Sequence, residues 1–338
     1  MPDDTLKPTP APESLPAQLA ALREEAKSAH RAFMDAAPGA GRTVMVGRGA
    51  ALGSAYTAIA NDASAVFWNP AGVAFTEGGH LFLNQNQWIA DITVNAGAVT
   101  WNSGNWGVIG LNFATVDWGV IHGTQRAENE AGFVETGEFS PSHFAIGVNY
   151  ARKVSDKFAI GGNVKFLHED LFGEANVSEG SFAAPTDVTA NTNLLAFDFG
   201  TVYYTGYRDL RIAMSFQNFS KEVVYREEYF SLPLTFRVGM AMGLTNFFSE
   251  NSPHNITLAV DAMHPRDFSE RMHFGMEYSF HELVFLRGGY KTNYDQEDFT
   301  LGAGLQYDSG NLALGIDYSY VAFENFDGVH MFSLDFKF

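Results

Sequence analysis

From Gly79 to Phe338 apolar and small-or-polar positions alternate along the chain. In "LALGIDYSYV", Leu312, Leu314, Ile316, Tyr318 and Tyr320 share one face, and Ala313, Gly315, Asp317 and Ser319 share the other. In "FTLGAGLQY", Phe299, Leu301, Ala303, Leu305 and Tyr307 oppose Thr300, Gly302, Gly304 and Gln306. Successive side chains of a strand point to opposite sides, so each run has one greasy face and one small or polar face. Fourteen such runs stand at roughly 79–90, 91–101, 105–118, 141–153, 157–169, 192–206, 209–220, 232–245, 253–264, 270–281, 282–292, 297–308, 311–322 and 329–338.

Most of these runs exceed the ~5–6 residues of ordinary globular strands and match the ~9–11 needed to cross a bilayer at a tilt. A soluble sandwich or propeller also hides one strand face, but it uses shorter strands and gives no reason for so much glycine opposite the aromatic face. The pattern therefore predicts an all-β fold, a closed antiparallel transmembrane β-barrel of about fourteen strands in a bacterial outer membrane. Leu314, Ile316 and Phe336 are expected to face lipid, and Gly315, Asp317 and Lys337 the interior.

Connections alternate in length. Those near Asn102–Gly104, Ser155–Asp156, Gly206–Tyr207, His281–Glu282 and Asp308–Gly310 are short; those at 119–140, 170–191, 221–231 and 323–328 are longer. Outer-membrane barrels keep short turns on the periplasmic side, so this phase predicts that both termini are periplasmic. The 170–191 connection carries Asp170, Glu174, Glu179 and Asp187 and no Lys or Arg. It reads as an acidic outer surface, the candidate place for a partner to bind.

Composition narrows the picture. The 338 residues include 33 Gly, 30 Phe and 13 Tyr, which suits strands and turns with aromatic outer faces. With no Cys, disulfides and thiolate metal sites are excluded. A formal charge of −18 argues against nucleic acid as a partner. No metal site or cofactor is expected, and outer-membrane lipids are the expected surroundings. Residues 1–39 show neither the basic start nor the apolar core of a secretory signal, so a signal has been removed or the chain is cytosolic; the barrel pattern favours the former.

Before the first strand stands "GRGAALGSAYTAIANDASAVFWNPAGVAF", a stretch of small residues ending in Trp68, Asn69, Pro70, Ala71 and Gly72. Gly47-x-Gly49 with Gly53 lacks the spacing and the preceding strand of a phosphate-binding loop. At the other end "MFSLDFKF" alternates Phe332, Leu334, Phe336 and Phe338 against polar positions. It is similar to the terminal signal, here Phe336 and Phe338, that bacterial barrels present to their assembly machinery.

The Gly47–Phe75 stretch followed by a barrel, "YFSLPLTFRVGMAMG" and "VHMFSLDFKF" resemble the PorV/PorQ family of outer-membrane proteins, itself similar to FadL-type channels for hydrophobic molecules. The resemblance covers about 45–338 and is most specific at Asn69-Pro70-Ala71-Gly72. It implies three parts: a periplasmic extension over 1–44, a lumen plug or hatch over 45–78 and the barrel over 79–338. The plug is expected to be a thin Gly/Ala/Ser helix stopped by Pro70, with Trp68–Gly72 acting as a gate or as a turn that wedges the plug. PorV-like proteins are non-enzymatic parts of type IX secretion that receive and shuttle secreted cargo; FadL-like proteins pass hydrophobic molecules inward. Secretion-system proteins or cargo domains are the partners the first reading implies.

"LPAQLAALREEAKSAHRAF" spaces Leu15, Leu19, Leu22, Ala26, Ala29 and Phe33 as a short amphipathic helix, a tether, a docking helix or a partly ordered tail. Nothing points to catalysis. The histidines are scattered, G-x-S-x-G and H-E-x-x-H are absent, and His264 with Asp267 reads as a rim pair. Lys165, Asp198, Arg211, Arg237, Asp261, Glu277, Arg287 and Asp317 fall on inward faces and are expected to form ion-pair networks. Trp88, Trp101, Trp106 and Trp118 are expected in interfacial girdles.

Overall fold

The computed structural model describes residues 46–176, 191–225, 228–230, 232–245, 252–266, 268–294, 297–324 and 327–338. A short helix α1 (Gly47–Ala51) and two 3₁₀ turns (Ala63–Phe67 and Pro70–Phe75) precede the strands. These are β1 (Gly79–Gln87), β2 (Thr93–Asn102), β3 (Val108–Asp117), β4 (Ile121–Arg126), β5 (Phe133–Ser155) and β6 (Phe158–Asn176). There follow β7 (Asn191–Tyr204), β8 (Arg211–Ser220), β9 (Val223–Tyr225), β10 (Glu228–Phe230), β11 (Thr235–Gly243) and β12 (His254–Pro265). The chain ends with β13 (Arg271–Phe280), β14 (Val284–Lys291), β15 (Glu297–Asp308), β16 (Ala313–Phe323) and β17 (Val329–Lys337).

Fourteen of these strands form one antiparallel ring, each beside its neighbour in sequence. It closes twice over: β1 pairs with β17, and β3 pairs directly with β5 from Val108↔Ala151 to Asp117↔Ser142. The other three strands, β4, β9 and β10, sit outside the ring as hairpin extensions. Closure leaves no strand edge to be satisfied in lipid. The protein is thus a closed fourteen-stranded barrel, as the alternation predicts.

Alternation sets the two faces. On β3, Ile109, Leu111 and Phe113 are 50%, 54% and 43% exposed, while Val108, Asn112 and Ala114 are buried. A row such as Leu81, Phe336 and Leu314, adjacent through the pairing of β1, β17 and β16, presents a continuous apolar stripe outward. The two strand ends differ. β13 and β14 join through His281 and Glu282, both with φ above zero (52° and 55°), the twist a tight hairpin needs. This turn end also holds the start of β1 and the last residue, Phe338; the opposite, loop end carries the longest connections, among them those between β3 and β5 and between β6 and β7.

The longer connections differ from expectation. Residues 119–140 are not an irregular loop: β4 pairs with the first part of β5 as a hairpin. Likewise β6 runs to Asn176, so Asp170 and Glu174 lie on a strand. At ~3.3 Å per residue the 23 residues of β5 and 19 of β6 span roughly 75 and 60 Å, far beyond a ~25 Å apolar band. These strands keep pairing after they leave the membrane region, and the alternation that marks lipid-facing strands is not required there.

Candidate functional site in the barrel lumen

The segment from Val46 to Thr76 lies inside the ring and touches all fourteen of its strands. Gly47 donates to Asn84 of β1 (3.2 Å), accepts from Ser319 of β16 and packs on Ser333 of β17. Thr300 of β15 ties Ala51 to Gly53, accepting from the Gly53 amide and donating to the Ala51 carbonyl, both at 2.9 Å. Leu52 meets Gly275 of β13, and Gly53 meets Gly289 of β14. The amides of Tyr56 and Thr57 donate to one oxygen of Asp261 on β12 at 3.1 and 2.9 Å. Arg237 of β11 reaches the Ser54 carbonyl at 3.4 Å.

The second half of the circuit is equally bonded. The Ala63–Phe67 turn packs on β1, β2 and β3. On β8, Gln217 and Ser215 donate to the carbonyls of Phe67 and Trp68 at 2.7 and 2.8 Å. Asn69 donates to the carbonyls of Thr201 on β7 (3.1 Å) and Thr57 (3.0 Å) while accepting from the Ala71 amide (3.1 Å). Pro70 lies against Gly161 of β6 and receives Asn149 of β5. Apart from those of Asn69, these hydrogen bonds join segment backbone to barrel side chains, so irregular backbone is satisfied without regular structure.

Small residues on both sides permit this approach. A Cβ on Gly275 would come 2.7 Å from the Leu52 carbonyl oxygen, and one on Gly239 would come 2.9 Å from Thr57. Gly161, Gly200, Gly289 and Gly302 meet the segment as closely. Glycine on the inner face and Ala, Gly and Ser in the segment are two sides of one contact. A thin helix does not run through the stretch, however: α1 covers five residues. Nor does Pro70 stop a helix. It occupies the first turn of the Pro70–Phe75 3₁₀ helix, where its missing N–H costs nothing, with Asn69 as the cap.

Two charge networks hold the wall. Arg48 clasps both oxygens of Glu277 at 2.9 Å; Arg287 donates to the same carboxylate at 2.6 Å and pairs with Asp317. Across β3, β6, β7 and β8, Asn112, Asn163, Asp198, Lys165 and Asn218 form a chain, with Lys165–Asp198 at 2.9 Å. Gly147 lies between Asn112 and Lys165 in the β3–β5–β6 register and leaves room for it. Burial first, and then the Asp62 carboxylate, push the Tyr56 phenol well above its ordinary pKa; its hydroxyl donates to Asp62 at 2.8 Å.

Trp68, Asn69, Pro70, Ala71 and Gly72 are together and buried, Trp68 edge-on to Tyr56 with Gly49 against its ring. Asp170 is on β6 near the loop end, and Glu179 and Asp187 lie outside the described residues. Phe336 is on the outer face, and Phe338 exchanges both backbone hydrogen bonds with Gly79 (2.7 and 2.9 Å). Trp101 and Trp106 are exposed at the turn end. Trp118 and Trp88 depart from the expected girdle: Trp118 is buried against the inward His143 ring, 5.3 Å away, and Trp88 packs on Phe323. Strand-end position alone does not distinguish inward from outward parity. Asp267 lies outside the described residues, and His264 instead approaches the exposed Glu270 at 3.3 Å.

A closed, lipid-banded barrel with a polar, occupied interior defines an outer-membrane protein, and its fold is FadL-like. Solved structures of the same architecture include the CymD monoaromatic hydrocarbon channel (TM-score 0.55, 12% identity, 87% of this chain and 97% of that one). Others are the Pseudomonas putida toluene transporter TodX (0.56, 10%, 87% and 98%) and a Pseudomonas aeruginosa FadL homologue (0.52, 12%, 88% and 99%). At these identities the likeness is one of fold. A family model described as type IX secretion system membrane protein PorP/SprF matches residues 133–336, and the chain belongs to that family. A second model, an uncharacterised protein family (UPF0164), matches residues 23–194. No protein of curated function matches the chain.

Proposed function

We propose that the chain is a non-enzymatic outer-membrane component of type IX secretion, PorV-like in role, which binds a secretion partner or secreted cargo at its loop end. The observation that carries this reading is the PorP/SprF match over 133–336, which spans the strands that rise beyond the barrel. In this reading the loop end is extracellular, both termini are periplasmic, and the 46–76 segment is a plug that closes the lumen. Phe336 and Phe338 serve as the signal for barrel assembly. Rigid strand extensions suit partner binding because they present side chains without an ordering cost.

A second reading, uptake of hydrophobic small molecules, draws on the channels and transporters of like fold. It also draws on an inward apolar group, Ala145, Leu167, Ala196 and Leu232, near the loop end.

Because Asp117 and Ser142 are paired across β3 and β5, 119–140 can be replaced by a short Gly-Ser turn without breaking the ring. The secretion reading expects loss of partner co-purification and of surface-protein secretion while the barrel still assembles. If both persist while uptake of a hydrophobic compound fails, the transport reading replaces it.

A further inference from the structure

Loop-ward of the inner segment, three of four neighbouring strands turn basic on their inward faces. Arg237 of β11 and Arg271 of β13 both lie opposite Met263 of β12, and His273 lies opposite Asp261 and Lys291. Among the described residues two carboxylates approach this cluster: Glu297 pairs with Lys291, and Asp261 accepts from the Tyr56 and Thr57 amides through one oxygen while its other oxygen is buried without a hydrogen bond. Such crowding of cations is notable in a chain of net charge −18.

Among the described residues the two guanidiniums are not used up. Arg237 is 5% exposed, and among the described residues its one hydrogen bond is the 3.4 Å contact to Ser54. Among the described residues its Nε is buried without a partner, as is Nε of Arg271. Buried charged donors are ordinarily paired, and each one left open is costly. Aromatic faces hold the guanidiniums: Arg271 stands over Tyr294 at 4.1 Å and Phe268 at 4.6 Å, and Arg237 over Trp68 at 5.2 Å. His273 fixes the Tyr294 hydroxyl at 2.9 Å. A guanidinium stacked by its face keeps its N–H edge for a planar or tetrahedral acceptor. An uncharged hydrocarbon offers these donors nothing.

We propose that Arg237, Arg271, His273 and Lys291 form a binding site for one oxyanion, a phosphate or carboxylate group, that reaches the lumen from the loop end. The site goes beyond the secretion reading and stands or falls separately from it. The test is calorimetric titration of the full-length barrel, in neutral detergent and chloride buffer at constant ionic strength, with inorganic phosphate and separately with acetate. Saturable binding is expected, weakened roughly tenfold or more in Arg271→Gln and Arg237→Gln. It should be retained in Lys165→Gln, whose cation belongs to the Asp198 network. Because Arg237 packs on the inner segment, Arg271→Gln decides the matter if Arg237→Gln fails to assemble. Binding of phosphate alone identifies a tetrahedral group; binding of both anions identifies a general oxyanion site. No saturable binding of either anion, or equal binding by wild type and Arg271→Gln, overturns the proposal.

Discussion

Arg48 and Glu277, 229 residues apart in sequence, meet as a two-pronged ion pair at 2.9 Å on each prong. The pair joins the inner segment to β13, and Arg287 and Asp317 extend it to β14 and β16. Removing Glu277 leaves two neighbouring guanidiniums with only their secondary carboxylate partners, Asp62 for Arg48 (3.5 Å) and Asp317 for Arg287. Glu277→Ala is therefore expected to cost about 3–5 kcal/mol of barrel stability, and Arg48→Ala less, because Arg287 still neutralises Glu277. Denaturant unfolding followed by heat-modifiable gel mobility checks the order. A larger loss from Arg48→Ala contradicts it.

Glycine on the inner wall should be intolerant where the segment approaches. Gly275→Ala puts a methyl 2.7 Å from the Leu52 carbonyl, whereas at Gly315 the nearest atom is an ordinary 3.5 Å away. The first change is expected to destabilise by about 1–3 kcal/mol through overpacking and the second to be near neutral. The same unfolding assay applies, with limited proteolysis within 46–78 as a second readout: Gly275→Ala should be cut faster.

Asn69 makes three hydrogen bonds that no other residue supplies to the Trp68–Gly72 turn. Asn69→Ala is expected to cost about 1–3 kcal/mol by leaving buried carbonyls and an amide open. A wedge predicts this stability loss with a lumen that stays closed. A gate predicts intermittent conductance in planar bilayers without comparable destabilisation.

Much of this was legible in the chain before any coordinates. Each of the fourteen alternating runs coincides with a ring strand, because lipid outside and a polar interior impose a period of two, interrupted locally where β7 and β8 shift register beside Asn218. The hairpin of β4 with β5 and the extension of β6 to Asn176 were not legible, since strands outside the membrane lose that imposed alternation. The Trp68–Gly72 block stood out by composition, but its partners are wall residues such as Asp261, Ser215 and Thr201, which only closure brings near. Arg271, His273 and Lys291 look like isolated polar positions on separate strands. Their cluster exists only through the register of β12, β13 and β14.

The central claim is that the 46–76 segment closes the lumen, so that the protein works at its loop face. Single-channel recording in planar bilayers tests it most directly, comparing the wild-type barrel with a variant lacking 47–75 whose heat-modifiable mobility shows an assembled barrel. The account predicts a silent wild type and a steady ohmic conductance in the variant. Equal conductance in the two, or a wild type that already passes ions steadily, would contradict it.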